Sequence, residues 1–294
     1  MKYITSGANA AVKRARKLLQ KKARDTDGAF LIEGFILIGE AARSGIEIER
    51  VFLRGDDTGG EMARSLETIP GFSRIRADGA RDGEPSPPGV DPGVDPGIDM
   101  VSLSEDIFDG IADTVTPKSM IAVAKKPRYP AAERGDALLV LDRLQDPGNV
   151  GTLVRTAGAI GFDGALCVKG TADPFSPKAV RASAGALFRL PVYEAGGPSE
   201  ALELLKSEGY RIALLDAGGA ALCWEADITG RTAFVVGNEG GGVDPRFADS
   251  ADVTVRVPMT AEAESLNAAV AAGIAMYERR RQMSAKEATD GQKT

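Results

Sequence analysis

Three polar stretches have residue types that could do chemistry. They are Asn149-Val-Gly-Thr-Leu-Val-Arg155, Gly237-Asn-Glu-Gly-Gly-Gly242, and Pro258-Met259 running on to Glu264-Ser-Leu-Asn267. A guanidinium is protonated at any ordinary pH. Arg155 is therefore a fixed cation, suited to clamping an anion or stabilising charge that develops on oxygen. Asn149 is placed to cap a helix. It lies six residues before Arg155, so the two do not share a helix face closely, and a cap with a salt-bridged arginine fits the pair as well as a site does. The glycines of 237–242 let backbone approach a ligand. Glu239 among them would repel phosphate and suits a hydroxyl, an amine or an arginine better. There is no Gly-Lys-Ser/Thr and no Gly-x-Gly-x-x-Gly after the first strand, which argues against a P-loop and a dinucleotide-binding oxidoreductase. Ser265 opens a long apolar run, where a hydroxyl can cap free helical N–H groups.

Composition narrows the chemistry further. The chain has no histidine, which removes Ser-His-Asp triads, a histidine base and most zinc sites. Cys167 and Cys223 are too few for a disulfide framework and lack metal-ligand spacing, so no metal is expected. At 43% hydrophobic and 27% charged residues, the composition is that of a soluble globular protein. No apolar run approaches membrane-span length and the N-terminus lacks a signal core, so a cytoplasmic protein is expected.

The elements that must position these residues follow from pattern. Strands are expected at 137–141, 164–168, 211–215, 232–236 and 253–257, and helices near 149–160, 177–186, 198–208, 244–248 and 265–282. This alternation means a mostly parallel sheet with helices on both faces. Ligands then sit at the C-terminal strand ends, where Asp216–Gly219, Gly237–Gly242 and Pro258–Asn267 fall. The helix from about Leu266 to Arg281 is small and apolar all round, hence buried in a core or against another subunit.

Ahead of it, residues 1–124 read as a small α/β domain: a basic helix over 1–24, strands at 30–34, 49–54, 73–76 and 120–124, and helices at 35–44, 61–69 and 103–113. Residues 84–98 repeat Pro-Gly-Val-Asp and read as an extended surface insertion. Residues 125–136 read as a linker, 137–285 as the second domain and 286–294 as a disordered tail. The net charge is −6, yet residues 1–24 hold eight basic residues and no acidic one. Local clustering marks a nucleic-acid partner, which makes Lys13, Arg14, Lys17 and Lys21 candidate nucleic-acid contacts; a solvated basic helix fits equally.

Taken in order, the three stretches resemble the three motifs of the SpoU-type RNA ribose 2′-O-methyltransferases of the SPOUT class, over residues 137–282. Lys178 to Pro191 also resembles the family's segment between its first two motifs. Phe30-Leu-Ile-Glu-Gly34, with Leu103-Ser-Glu-Asp-Ile-Phe108 and Thr116-Pro117, is similar to the L30e-like substrate-binding domain of many members, from which the Pro/Gly insertion departs. The resemblance implies an α/β catalytic domain with a C-terminal trefoil knot, a homodimer through the C-terminal helix, and S-adenosylmethionine as cofactor. The cofactor would be held by Leu215, Asp216, Ala217 and Gly218, by Val236, Gly237, Asn238 and Gly240, and by Val257, Pro258, Met259, Ser265, Leu266 and Asn267. Arg155 would be the central catalytic residue, with Asn149, Glu239, Ser265 and Asn267 orienting it, the ribose and the methionine end of the cofactor. The implied substrate is RNA, 23S ribosomal RNA first; transfer RNA, or a non-catalytic RNA-binding protein of the same fold, are the alternatives.

Overall fold

A computed structural model of the chain describes residues 2–55, 64–66, 75–76, 98–117, 119–130, 134–238, 240–260, 262 and 265–290. They form two compact units: residues 1–127 with 175–177, and residues 128–174 with 178–294. Among the described residues no helix is long and apolar enough to cross a membrane, and no group of carboxylates and cysteines could hold a metal ion.

In the first unit, residues 1–24 are not one basic helix. They open on strand β1 (Lys2–Ile4), followed by helices α1 (Ala10–Lys17) and α2 (Lys21–Asp27). Asn9 caps α1, its Oδ1 accepting the Ala11 N–H at 2.9 Å. The break after α1 is held by Arg24, which is buried and donates from Nη1 to the Leu18 carbonyl at 2.7 Å. One of the eight cations is thus an internal strut, invisible to a charge count.

Strand β2 (Ala29–Glu33), helix α3 (Phe35–Arg43), strands β3 (Ile48–Arg54), β4 (Ile75–Arg76) and β5 (Ile98–Leu103), helix α4 (Glu105–Asp109) and strand β6 (Met120–Lys125) complete it. The sheet runs β1-β5-β3-β6-β2, with β4 beside β5. Two boundaries correct the expectation. Ile98 begins strand β5 rather than ending the insertion, and this strand was missed because it directly follows the Pro/Gly repeat. Lys125 pairs with Ala29 in the sheet rather than opening a linker. Residues 84–97 lie outside the described residues, as does the expected 61–69 helix apart from residues 64–66. Val12, Ala15 and Leu18 of the first helical segment pack with Leu31, Phe52, Val101 and Phe108. At about 1.5–3 kcal/mol for each large apolar side chain fully buried, this contact holds the basic segment to the sheet.

The second unit is a seven-stranded sheet. Its strands are β7 (Ala137–Leu141), β8 (Gly164–Val168), β9 (Val192–Ala195), β10 (Arg211–Leu215), β11 (Ala221–Leu222), β12 (Thr232–Val236) and β13 (Val253–Arg256). They are ordered β11-β13-β10-β12-β7-β8-β9, and each neighbouring pair is parallel. Continuous apolar runs form strands buried on both faces: β7, β8 and β12 are buried at every residue. Strands β9 and β11, four and two residues long at the sheet's edges, were too short to register as a pattern.

Helices α5 (Pro147–Ile160), α6 (Pro177–Ala182), α7 (Pro198–Ser207), α8 (Pro245–Ser250) and α9 (Ala268–Asp290) connect and cover the strands. Residues 286–290 continue α9 instead of forming a disordered tail. The reason is tertiary: Gln282 donates to the Ala226 carbonyl at 3.0 Å, and the Lys286 ammonium reaches the Thr229 hydroxyl and, at 3.6 Å, Asp227. Residues 291–294 lie outside the described residues.

Candidate active site

Strands β13, β10 and β12 are parallel neighbours, so the loops leaving their C-terminal ends meet on one edge of the sheet. They enclose a cavity of about 460 Å³, within the range of small-ligand pockets. Leu215, Asp216 and Ala217 line it from the first loop, and Val236, Gly237 and Asn238 from the second. Val257, Met259, Ser265, Leu266 and Asn267 line it from the third. Gly218, Gly240 and Pro258 lie in the same loops but not among the lining residues. Gly242 belongs to the expected glycine loop, whereas Val243, Val255, Arg256 and the alanines Ala268, Ala271, Ala272 and Ala275 of α9 were not anticipated. For the alanines, the sequence signal was a stripe at helical spacing.

Each loop is shaped by its own polar groups. Asp216 Oδ1 accepts the Gly218 N–H at 2.7 Å. Asn238 Oδ1 accepts the N–H groups of Gly240 and Gly241, both at 2.9 Å, and the Asn238 and Gly242 backbones exchange two hydrogen bonds of 2.9 Å. The glycines are required by close approach. A Cβ on Gly237 would lie 2.5 Å from the Gly242 carbonyl carbon, and one on Gly219 would lie 2.7 Å from that of Val255. Glu239 and Glu264, expected in these loops, lie outside the described residues.

Two caps differ from expectation. Asp146, not Asn149, caps α5, its Oδ1 accepting the Gly148 N–H at 2.8 Å. Lys178 lies 2.6 Å from the same oxygen and holds the Asp146 carboxyl below the usual carboxylate range. Asn267, not Ser265, caps α9, accepting from Ala269 and Val270 N–H at 2.9 and 3.3 Å. Asn149 Oδ1 accepts instead from Asn267 Nδ2 at 3.0 Å, across 118 residues of sequence. The first and third polar stretches are joined at that bond.

Arg155 is exposed on α5 and does not line the three-loop cavity. It lines a separate hollow of about 410 Å³ with Asp163, Ser183 and Arg189. Of the four N-terminal cations, Lys13 and Lys17 are exposed. Arg14 is engaged: it forms a bidentate bond to Asp27 at 2.7 and 2.9 Å and lies 2.6 Å from Glu49. That hydrogen bond holds the Asp27 carboxyl below its usual range. Lys21 lies 3.3 Å from Asp25.

The cavity's size and lining are compatible with S-adenosylmethionine. Two loops run so close that glycine alone is accommodated at Gly219 and Gly237. The lining combines apolar Leu215, Val236, Val257 and Leu266 with polar Asp216, Asn238, Ser265 and Asn267, groups that suit a ligand carrying both a flat base and charged polar groups.

Known proteins agree with both units. The SpoU rRNA Methylase family profile matches residues 136–277, and that of the MRM3-like substrate binding domain matches residues 9–122. The chain is 36% identical over 277 residues to the 23S rRNA (guanosine(2553)-2′-O)-methyltransferase RlmP of Bacillus subtilis, covering 94% of this chain and 98% of that protein. An AdoMet-bound rRNA methyltransferase from Sinorhizobium meliloti superposes with a TM-score of 0.76 at 27% identity, covering 96% of this chain and 98% of the other. The SpoU methyltransferase AviRb from Streptomyces viridochromogenes, in complex with AdoMet, gives 0.78 at 26% identity over 94% and 98%.

Proposed function

The chain belongs to the SpoU rRNA methylase family, and from that membership we propose that it methylates a ribose 2′-OH of 23S ribosomal RNA in the cytoplasm. It is an S-adenosylmethionine-dependent RNA 2′-O-methyltransferase. The observation that carries the cofactor assignment is the cavity closed by the loops after β10, β12 and β13. When bound there, S-adenosylmethionine supplies an electrophilic methyl group.

The rest of the chemistry falls to the chain. A ribose hydroxyl is a poor nucleophile near neutrality, so it must be aligned and relieved of its proton. No histidine is present to take that proton. The proton passes to another group or to a phosphate of the substrate, while Arg155 clamps the RNA phosphate and stabilises the alkoxide as it develops. Asn149 and Asn267, bonded to each other, link the helix that carries Arg155 to the wall of the cofactor cavity. Glu239 and Ser265 complete the proposed set. The test is mass-spectrometric mapping of 2′-O-methyl nucleotides in 23S RNA from cells with and without the gene. One ribose methyl should vanish with the gene; an unchanged map with a lost transfer-RNA methyl would move the substrate to that class.

A homodimer is proposed through α5 and α9. Val270, Ile274 and Tyr277 are 51%, 42% and 65% exposed, and they share a hollow of about 510 Å³ with Thr152 and Thr156 of α5. Large apolar side chains grouped on a surface mark an interaction site. The double variant Ile274→Glu, Tyr277→Glu should sediment as a monomer where the wild type sediments as a dimer. Equal sedimentation of the two proteins would remove this interface.

RNA capture is assigned to Lys13, Lys17 and Lys21, with Arg14 contributing less because Asp27 and Glu49 already hold it. Phosphate contacts release counterions and make affinity salt-dependent. Changing the three lysines to Gln should flatten the slope of log affinity against log salt by about two to three. Adding Arg14→Gln should change it little more. Unaltered slopes in the triple variant would make this surface merely solvated.

A further inference from the structure

Asp142 follows strand β7 directly, and its side chain is fully buried although it does not line the cofactor cavity. Burying an ionised carboxylate is costly unless it is paired and hydrogen-bonded. Its bonds lead to one place. Asp142 Oδ2 accepts the Asp244 N–H at 2.6 Å, and Asp244 is where the glycine loop after β12 leaves for helix α8. The Arg143 guanidinium closes on the same carboxylate, Nε to Oδ1 at 3.2 Å and Nη2 to Oδ2 at 3.2 Å.

The loop's entrance hangs from the next residue. Asn238 Nδ2 donates to the Arg143 carbonyl at 2.9 Å, and Gln145 Nε2 donates to it at the same distance. To present that carbonyl, Arg143 adopts φ +58°, a region that residues with a Cβ rarely occupy. Strain of this kind persists only where surrounding contacts over-determine it, and it clusters at functional sites. The contacts are present: Arg143 N–H donates to the Thr171 hydroxyl at 3.0 Å, which donates to the Leu141 carbonyl at 2.7 Å. Both ends of the Gly237–Val243 loop are therefore fixed by the pair Asp142–Arg143.

We propose that Asp142 is a positioning residue for the cofactor cavity: its buried carboxylate sets the exit of the Gly237–Val243 loop through the Asp244 N–H, and through Arg143 it sets the entrance at Asn238. The proposal rests on the assignment of this cavity to S-adenosylmethionine. A positioning residue acts on cofactor affinity more than on the stability of the unliganded protein. A buried pair that only holds the fold together acts on stability alone.

The experiment uses full-length protein and measures S-adenosylmethionine affinity by calorimetry, RNA affinity by filter binding and thermal unfolding without ligand. Asp142→Ala leaves the Asp244 N–H unsatisfied and should weaken cofactor binding about tenfold or more, with RNA affinity unchanged. Asp142→Asn keeps an acceptor oxygen at that N–H but turns an amide NH2 toward Arg143 Nε, so its cofactor affinity should fall between those of wild type and Asp142→Ala. Should Asp142→Ala fail to fold, Asp142→Asn and Arg143→Ala carry the test; Arg143→Ala keeps the carbonyl that receives Asn238 but loses the guanidinium tie to Asp142, so the backbone held at φ +58° should shift and cofactor affinity fall. Wild-type cofactor affinity in folded Asp142→Ala, or in Arg143→Ala where that variant carries the test, would overturn the proposal. Parallel loss of cofactor and RNA affinity would overturn it too. Absence of cofactor binding by the wild type would instead overturn the cavity assignment beneath it.

Discussion

Arg155→Ala is expected to lower the rate of methyl transfer by about 10²–10³-fold, the usual cost of removing one group that stabilises charge in the transition state. Its affinity for S-adenosylmethionine should stay within about twofold of wild type, because Arg155 does not line the three-loop cavity. Arg155→Lys should recover little, since an ammonium cannot reproduce the planar fork that grips phosphate and alkoxide together. Single-turnover methylation at saturating cofactor, with calorimetry alongside, separates the two effects. Near-wild-type turnover in Arg155→Ala would move the catalytic centre elsewhere.

Gly237→Ala should do the opposite and strike the cofactor first. A Cβ there would lie 2.5 Å from both the Gly242 carbonyl carbon and the Val243 nitrogen. Those are backbone atoms of a loop closed by two 2.9 Å bonds between Asn238 and Gly242, so they cannot step aside without opening it. Overpacking of this kind costs about 1–3 kcal/mol, which here falls on the loop that lines the cavity. Cofactor affinity should drop by about 10²-fold, with a lowered melting temperature. Gly240→Ala is the internal control: among the described residues a Cβ there meets only the Asn238 amide oxygen, at 3.7 Å, an ordinary contact, and should be tolerated. Equal behaviour of the two variants would mean that loop closure does not shape the site.

Much of this site is legible from local pattern. Apolar runs punctuated by glycine and proline mark β7, β8, β10, β12 and β13 to within a residue, and the polar loops after three of them are where the cavity lies. What the pattern misses is set by distant partners. Asn267 rather than Ser265 caps α9 in a geometry that also bonds Asn149, 118 residues away. Arg14 looks like a free cation until Glu49 is folded against it. Arg143 reads as a loop residue, since nothing local reports that its carbonyl will anchor Asn238. A knot, implied only by family resemblance, runs against the topology rules that serve other sheets.

Strand β13 is the last of its sheet to be synthesised, yet it lies inside that sheet, between β10 and β11. Until residues 253–256 arrive, β10 presents an unpaired edge and β11 has no strand beside it. Open edges of this kind invite pairing with other chains. Every ladder of the unit also joins segments well apart in the chain, β7 to β12 being the widest, and such long closures make folding slow. Between residues 236 and 253 the nascent chain has the strands β7 to β12 but not the third wall of the cavity. A chain cut short before β13 leaves the β10 edge open and lacks one wall of the cavity, so holding the cofactor requires the last strand to be in place.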